Sequence, residues 1–306
     1  MRLKKGFKFT CLVVFSLFLW AASAQAVPLI PMDYNGLYFN NAEVFINVDN
    51  SFDQQTGNPT ITTGDIFWGV YNLQNIKGPT DPSGSFGTEI WNSNQSSNPA
   101  EITGYFATEV VNTIPNGAGN TDIIVFGAVA SDPNNILNPG EAFRIYEDTN
   151  KDYSDIYQTI GLQTATNGQL IWSLGLGASS DGDSAGGYWY SNAPIVIPGP
   201  NSPVGHSYAG LNFIGSSNTP DGTNFQAIDD PNETALNQLT ELWLNSEIFQ
   251  VNAIGATDSN GNALFEFSSN DPAVLYPTPE PATMLLLGSG MIGLVGLGRR
   301  KLRKQA

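Results

Sequence analysis

An all-β body, built as an antiparallel β-sandwich or jelly roll, is what the sequence predicts for residues 27–276. Three observations predict it. Short apolar and β-branched runs recur along this stretch, turn-forming dipeptides separate them, and aromatic residues concentrate inside the runs as they do on sheet faces. The body is long enough for one large β-domain or two small ones.

The elements follow in chain order. Residues Met1–Lys8 are basic with no acid, Phe9–Trp20 are apolar, and Ala21–Ala26 are mostly small. That order is the layout of a signal peptide over residues 1–26, with cleavage by signal peptidase after Ala24 or Ala26. Strands are then predicted at Gly36–Phe39, Glu43–Val48, Ile61–Leu73, Ile102–Val111, Thr121–Ala130, Ala142–Glu147 and Gln169–Gly177. Further strands are predicted at Gly187–Tyr190, Tyr208–Ile214, Ile248–Ile254 and Leu264–Phe267. Asn35-Gly36, Asn116-Gly117, Asn167-Gly168, Asp181-Gly182, Asp221-Gly222 and Asn260-Gly261 accept the positive φ of tight hairpin turns. From Asp230-Pro231 the spacing of Leu236, Leu239, Leu242 and Trp243 predicts a short helix. The Pro-, Gly- and Ser-rich stretch Asn192–Asp221 reads as a long loop, or as a boundary if the body divides in two.

The last segment, 277–306, has three parts. Pro277-Thr278-Pro279-Glu280-Pro281 favours an extended, exposed backbone. The 17 residues Ala282–Gly298 are uncharged, and as a helix they reach about 25 Å, near the bilayer core of about 30 Å. Arg299, Arg300, Lys301, Arg303 and Lys304 form a basic end that stays in the cytoplasm and can snorkel to complete the span. Both basic ends therefore point inward, and the body between them lies outside. This tail closely resembles the PEP-CTERM sorting signal, also known as the ice-binding protein C-terminal domain. The resemblance implies recognition by an exosortase, removal of the tail near Pro279, Glu280 and Pro281, and release or attachment at the surface of a Gram-negative bacterium that makes extracellular polysaccharide. The membrane is then a transient partner, reached through the C-terminal helix.

Charge bounds the remaining partners. The body's three cations, Lys77, Arg144 and Lys151, face 27 acids, a net charge of −24, against −16 for the whole chain. Nucleic acid is excluded as a partner, because binding it needs clusters of Lys and Arg. Cys11, the one cysteine, lies in the signal segment, so the mature body has neither a disulfide nor a thiolate site.

Few residues mark chemistry. Asp148, Asn150 and Asp152 have the D-x-N-x-D spacing of a calcium loop, although Tyr153 and Thr159 stand where an EF-hand needs Gly and Glu. They are candidate calcium ligands; the plainer reading, a solvated hairpin tip, is preferred. Asp181-Gly182-Asp183 and Asp258–Asn262 are weaker cases of the same kind. His206 is the single histidine and no G-x-S-x-G elbow is present, so no catalytic residue is assigned. A two-carboxylate glycosidase-like hydrolase stays open as an alternative, as does a calcium-stabilised adhesin module. Tyr188-Trp189-Tyr190, Trp68, Trp91 and Trp243 are candidate sugar-stacking residues, and alternation places Tyr188 and Tyr190 on the face opposite Trp189. Thr60, Thr62 and Thr63 do not repeat as an ice-binding array would. A non-enzymatic surface or extracellular-matrix protein, structural or carbohydrate-associated, is the leading expectation.

Overall fold

The described residues form eleven strands and one short helix, with all these strands paired antiparallel in one sheet. The computed structural model describes residues 35–55, 58–77, 89–94, 100–115, 122–153, 159–178, 186–196, 203–214, 240–258 and 260–275. The strands are β1 (Asn35–Asn47), β2 (Ile66–Lys77), β3 (Glu89–Asn92), β4 (Glu101–Ile114), β5 (Asp122–Ala128) and β6 (Glu141–Asp148). After the helix α1 (Thr159–Thr166) come β7 (Gln169–Gly175), β8 (Tyr188–Ala193), β9 (Pro203–Phe213), β10 (Leu242–Thr257) and β11 (Ala263–Leu275).

Several predictions fall outside the described residues. They are the signal segment with Ala24 and Ala26, the motif Pro279, Glu280 and Pro281, the candidate span 282–298, and the basic end Arg299, Arg300, Lys301, Arg303 and Lys304. Asp155, Asp181–Asp183, Asn116-Gly117, Asp221-Gly222, and Asp230 through Leu239 do so as well. Among the described residues, no helix is long and apolar enough to cross a membrane.

The pairing closes on itself. β1 pairs with β2, β2 with β4, β4 with β6, β6 with β7, β7 with β9, β9 with β10, β10 with β11, and β11 returns to β1. A second bridge from β4 to β9 runs through β5 and β8. The antiparallel all-β expectation holds, and the pairing records one sheet where the sequence suggested two layers.

Alternation along each strand sorts side chains between an inner and an outer face. Phe39, Tyr71, Phe106, Phe143, Trp189 and Leu211 point inward from six strands onto a cavity of about 30 Å³. Rings fill most of this interior. Phe143 stacks on Trp189 at 5.3 Å and on Phe106 at 5.3 Å, and Phe126 tilts against Trp189 at 5.6 Å. Close approach of the strands is bought with glycine. Gly104 sits opposite Tyr71, and Gly69 opposite Phe106, so each aromatic ring covers the glycine of the facing strand.

A second core lies on the outer face of β2 and β4. Val70, Tyr105 and Ala107 are fully buried there beneath Val129, Ile136, Leu137, Leu162 and Ala165, which come from the loop after β5 and from α1. Burying a Val or aromatic side chain stabilises by about 1.5–3 kcal/mol each, so this cover is as necessary as the inner filling. Asp132 shapes the covering loop: its carboxylate accepts from the Tyr105 hydroxyl and from the N–H groups of Asn134, Ile136 and Leu137.

Three predictions need correction. Leu242 and Trp243 begin β10 and are not helical. Asn35-Gly36 lies inside β1 and makes no turn. Within Asn192–Asp221, read as a long loop or boundary, Pro203–Phe213 is the strand β9, paired on both edges, of which only the part from Tyr208 was predicted as strand. The helix α1 was not predicted.

Candidate functional site

The inner cavity is mainly apolar, with Asn41, Glu43 and Ser246 as its polar lining. Asn41 Nδ2 donates to Glu43 Oε1 at 2.5 Å, and both residues are buried. The volume suits one or two waters, since a water needs roughly 10–15 Å³ on this measure.

The outer face of β8 and β9 carries the tyrosines that the alternation predicted. Trp189 points inward with its Nε1 donating to Ser207 Oγ, whereas Tyr188 and Tyr190 point outward. Tyr190 stacks on Tyr208 of β9, with centroids 5.3 Å apart and planes 28° apart. Both rings are half-exposed. Tyr188 and Trp243 are buried beside them, edge to face at 6.1 Å. Gly210 opposite Tyr188 leaves room for this ring, because a Cβ there would come within 2.8 Å of it. Of the other tryptophans, Trp68 belongs to the outer core beside Tyr105, and Trp91 is half-buried on β3.

The third constellation lies where β4 begins and β6 ends. Antiparallel register places Glu101 directly opposite Asp148. The chain leaves β6 through a tight turn in which Asp148 Oδ1 accepts from the Asn150 N–H at 2.9 Å and Lys151 adopts φ 54°. That turn brings Asp152 back beside the pair, so carboxylate oxygens of Glu101, Asp148 and Asp152 all lie within 4.8 Å of one another. Glu101 Oε1 accepts from the Tyr153 N–H at 2.9 Å, and Asp152 accepts from Asn167 Nδ2 at 3.2 Å. Glu101 is 8% exposed and Asp148 4%, while Asp152 is exposed. Burial pushes the Glu101 carboxyl up from its ordinary value. The charges of Asp148 and Asp152 push the same way, against the N–H bonds from Tyr153 and Asp152.

Of the predicted calcium ligands, Asp148 and Asp152 therefore meet, and Asn150 contributes its N–H to Asp148. Glu101 was missed, because it is 47 positions away from Asp148 and only strand register joins them. Asp258 shows the contrast. It accepts from the Asn260 and Asn262 N–H groups and from Asn262 Nδ2, beside Gly261 at φ 86°, a turn satisfied from within. His206 is exposed on β9, with Asn192 and Glu247 as its register neighbours. Thr62 Oγ1 donates to Asp49 and Asp65, within the turn that the Asp65 N–H closes on the Thr62 carbonyl.

A family model described as the PEP-CTERM protein-sorting motif matches residues 277–304. No curated protein matches the chain.

Proposed function

We propose that this chain is a non-enzymatic protein of the cell surface or extracellular matrix, sorted by an exosortase, whose β-body associates with polysaccharide. The PEP-CTERM motif at 277–304 implies an exported protein processed by an exosortase. For the body, the reading rests on the stacked, half-exposed pair Tyr190 and Tyr208 on the outer face of β8 and β9. The stacked rings form an apolar ridge that carries two hydroxyls, a surface against which a pyranose can pack and hydrogen-bond. The inner cavity, at about 30 Å³, is too small for a sugar ring, which favours the outer surface as the place of contact. A body at −24 repels anionic polymers, so the polysaccharide proposed is a neutral one.

The test is retention of the full chain, purified in detergent, on immobilised neutral extracellular polysaccharide from its host. Tyr190→Ala and Tyr208→Ala should each weaken retention about tenfold, equivalent to about 1.4 kcal/mol. Wild-type protein that flows through, or two variants that bind like wild type, defeats the proposal. Turnover of the polysaccharide during the experiment would favour the hydrolase instead.

A further inference from the structure

We propose that Glu101, Asp148 and Asp152 hold one calcium ion at the junction of β4, β6 and the turn after β6. The inference is independent of the polysaccharide reading. Two acids in directly opposed positions on neighbouring strands repel each other, and pairs of that kind destabilise a sheet. Here the pair is nearly buried, and Asp152 adds a third like charge within 4.8 Å.

N–H groups of Asn150, Tyr153 and Asn167 meet part of this charge, but no protein cation among the described residues pairs with it. Among the described residues, no ion pair reaches Glu101, Asp148 or Asp152. Of the body's three cations, Arg144 bonds Glu141 at 2.7 Å, Lys77 lies 4.5 Å from the centre of the Tyr38 ring, and Lys151 is exposed to solvent.

The second observation is independent of the charge count. Asp148 is 96% buried (4% exposed), and its Oδ2 has no hydrogen-bond partner among the described residues, while Oδ1 takes the Asn150 N–H. A buried carboxylate oxygen without a partner is costly and rare. A cation beside it supplies the missing interaction and cancels the repulsion in one step.

The donor set selects the ion. All three groups offer oxygen, with no imidazole or thiolate in the group, which suits a hard cation. Three carboxylates provide up to six oxygens, and the exposed side at Asp152 admits water, matching the 6–8 oxygen ligands of calcium. Magnesium demands a near-ideal octahedron at about 2.0–2.1 Å and keeps its waters, so it fits a site held by two strands and a turn less well.

The experiment uses the full chain in detergent, with thermal melts in EDTA, calcium chloride and magnesium chloride at matched ionic strength, and calorimetric titration with calcium chloride. Calcium at a hundredfold excess over its Kd should raise Tm by roughly 5–10 °C, well beyond the magnesium shift, with one ion bound per chain. Asp148→Asn and Glu101→Gln should lose the calcium shift. Because each removes one of the repelling charges, Glu101→Gln should melt in EDTA no lower than wild type, which separates lost binding from failed folding. Equal calcium and magnesium shifts, absence of titratable binding, or a full calcium shift in Glu101→Gln and Asp148→Asn overturns the proposal.

Discussion

Gly104→Ala tests how closely β2 and β4 approach. A Cβ at this position would lie 2.3 Å from Tyr71 Cζ, 2.4 Å from Tyr71 Oη and 2.4 Å from the carbonyl oxygen of Arg144. Tyr71 is 3% exposed, its hydroxyl donates to that same carbonyl at 3.0 Å, and it meets the Phe39 ring edge to face at 5.2 Å. The ring cannot withdraw without losing both contacts, and the carbonyl belongs to the backbone of β6. Overpacking costs about 1–3 kcal/mol, a hydrogen bond about 1 kcal/mol and an aromatic pair about 0.5–1.5 kcal/mol. Taken with partial relaxation, about 4 kcal/mol is expected, or a Tm lower by roughly 8–16 °C for a body of this size. Urea unfolding followed by circular dichroism measures it. Gly177→Ala is the internal control, because nothing lies within 4 Å of its Cβ, and it should change stability by less than about 1 kcal/mol. The double variant Gly104→Ala with Tyr71→Phe should cost less than the two single changes summed, since both act on the same hydroxyl. A loss below about 1 kcal/mol for Gly104→Ala would show that the strands separate easily and that the close Gly–Tyr contact is not what holds them.

Two further outcomes are expected. Intact mass of the protein taken from the surface of its native host should fit a chain beginning at Gln25 or Val27 and lacking residues 282–298; a surface species that keeps Arg299–Ala306 contradicts sorting. Asp65 is fully buried, and burial pushes its carboxyl up to about 6, against the N–H bonds from Thr62 and Val48. Since the folded value lies above the unfolded one, its contribution is complete below about pH 4 and is lost as pH rises through about 6. Relative to Asp65→Asn, wild type should therefore gain about 1–2 kcal/mol between pH 7 and pH 4, after solvent screening is allowed for; a flat or opposite difference in denaturant titrations rejects this.

How much of this was legible in the sequence depends on the range of the interaction. Alternation is local, and it placed Tyr188 and Tyr190 on the face opposite Trp189; which face is the inner one only the packing decides, with Trp189 on the cavity. The turn at Asn260-Gly261 is local too, and Gly261 holds φ 86° there. The helix reading from Asp230 failed at its end because two periods share the same residues. Leu236, Leu239 and Leu242 recur every three, but Leu242 and Leu244 line the cavity while Trp243 lies on the other face, the period of a strand. The first half of β9, Pro203–Ser207, looked like loop because its composition is small and polar, while the half from Tyr208 read as strand. The sheet requires glycine in both halves: a Cβ on Gly205 would come 2.2 Å from the Asn192 carbonyl oxygen, and one on Gly210 2.8 Å from Tyr188. α1, with the sequence TIGLQTAT, has no charge in its first or last turn and a poor apolar stripe, so nothing local announces it. It is helical because Leu162 and Ala165 find the outer core and Ala165 receives the Thr103 hydroxyl at 2.9 Å. Closure of the sheet through Asn35 opposite Leu275 is longer-ranged still.

Strand β4 joins these levels. Its Phe106 fills the interior, and its Tyr105 and Ala107 carry the outer cover. Its first residue, Glu101, faces Asp148 and takes the Tyr153 N–H, while Tyr153 itself packs against the outer core. Asp152 is tied to Asn167, the residue after α1. The acid cluster is therefore bonded on one side to the strands and on the other to the cover of the outer core, and its three acids are not among the residues that line the inner cavity. A cation bound there acts on the least regular layer of the fold. Its stabilisation should appear first as protection of α1 and the turn after β6, because those segments rest on side-chain contacts, whereas β4 and β6 are held by ladder bonds that need no ion.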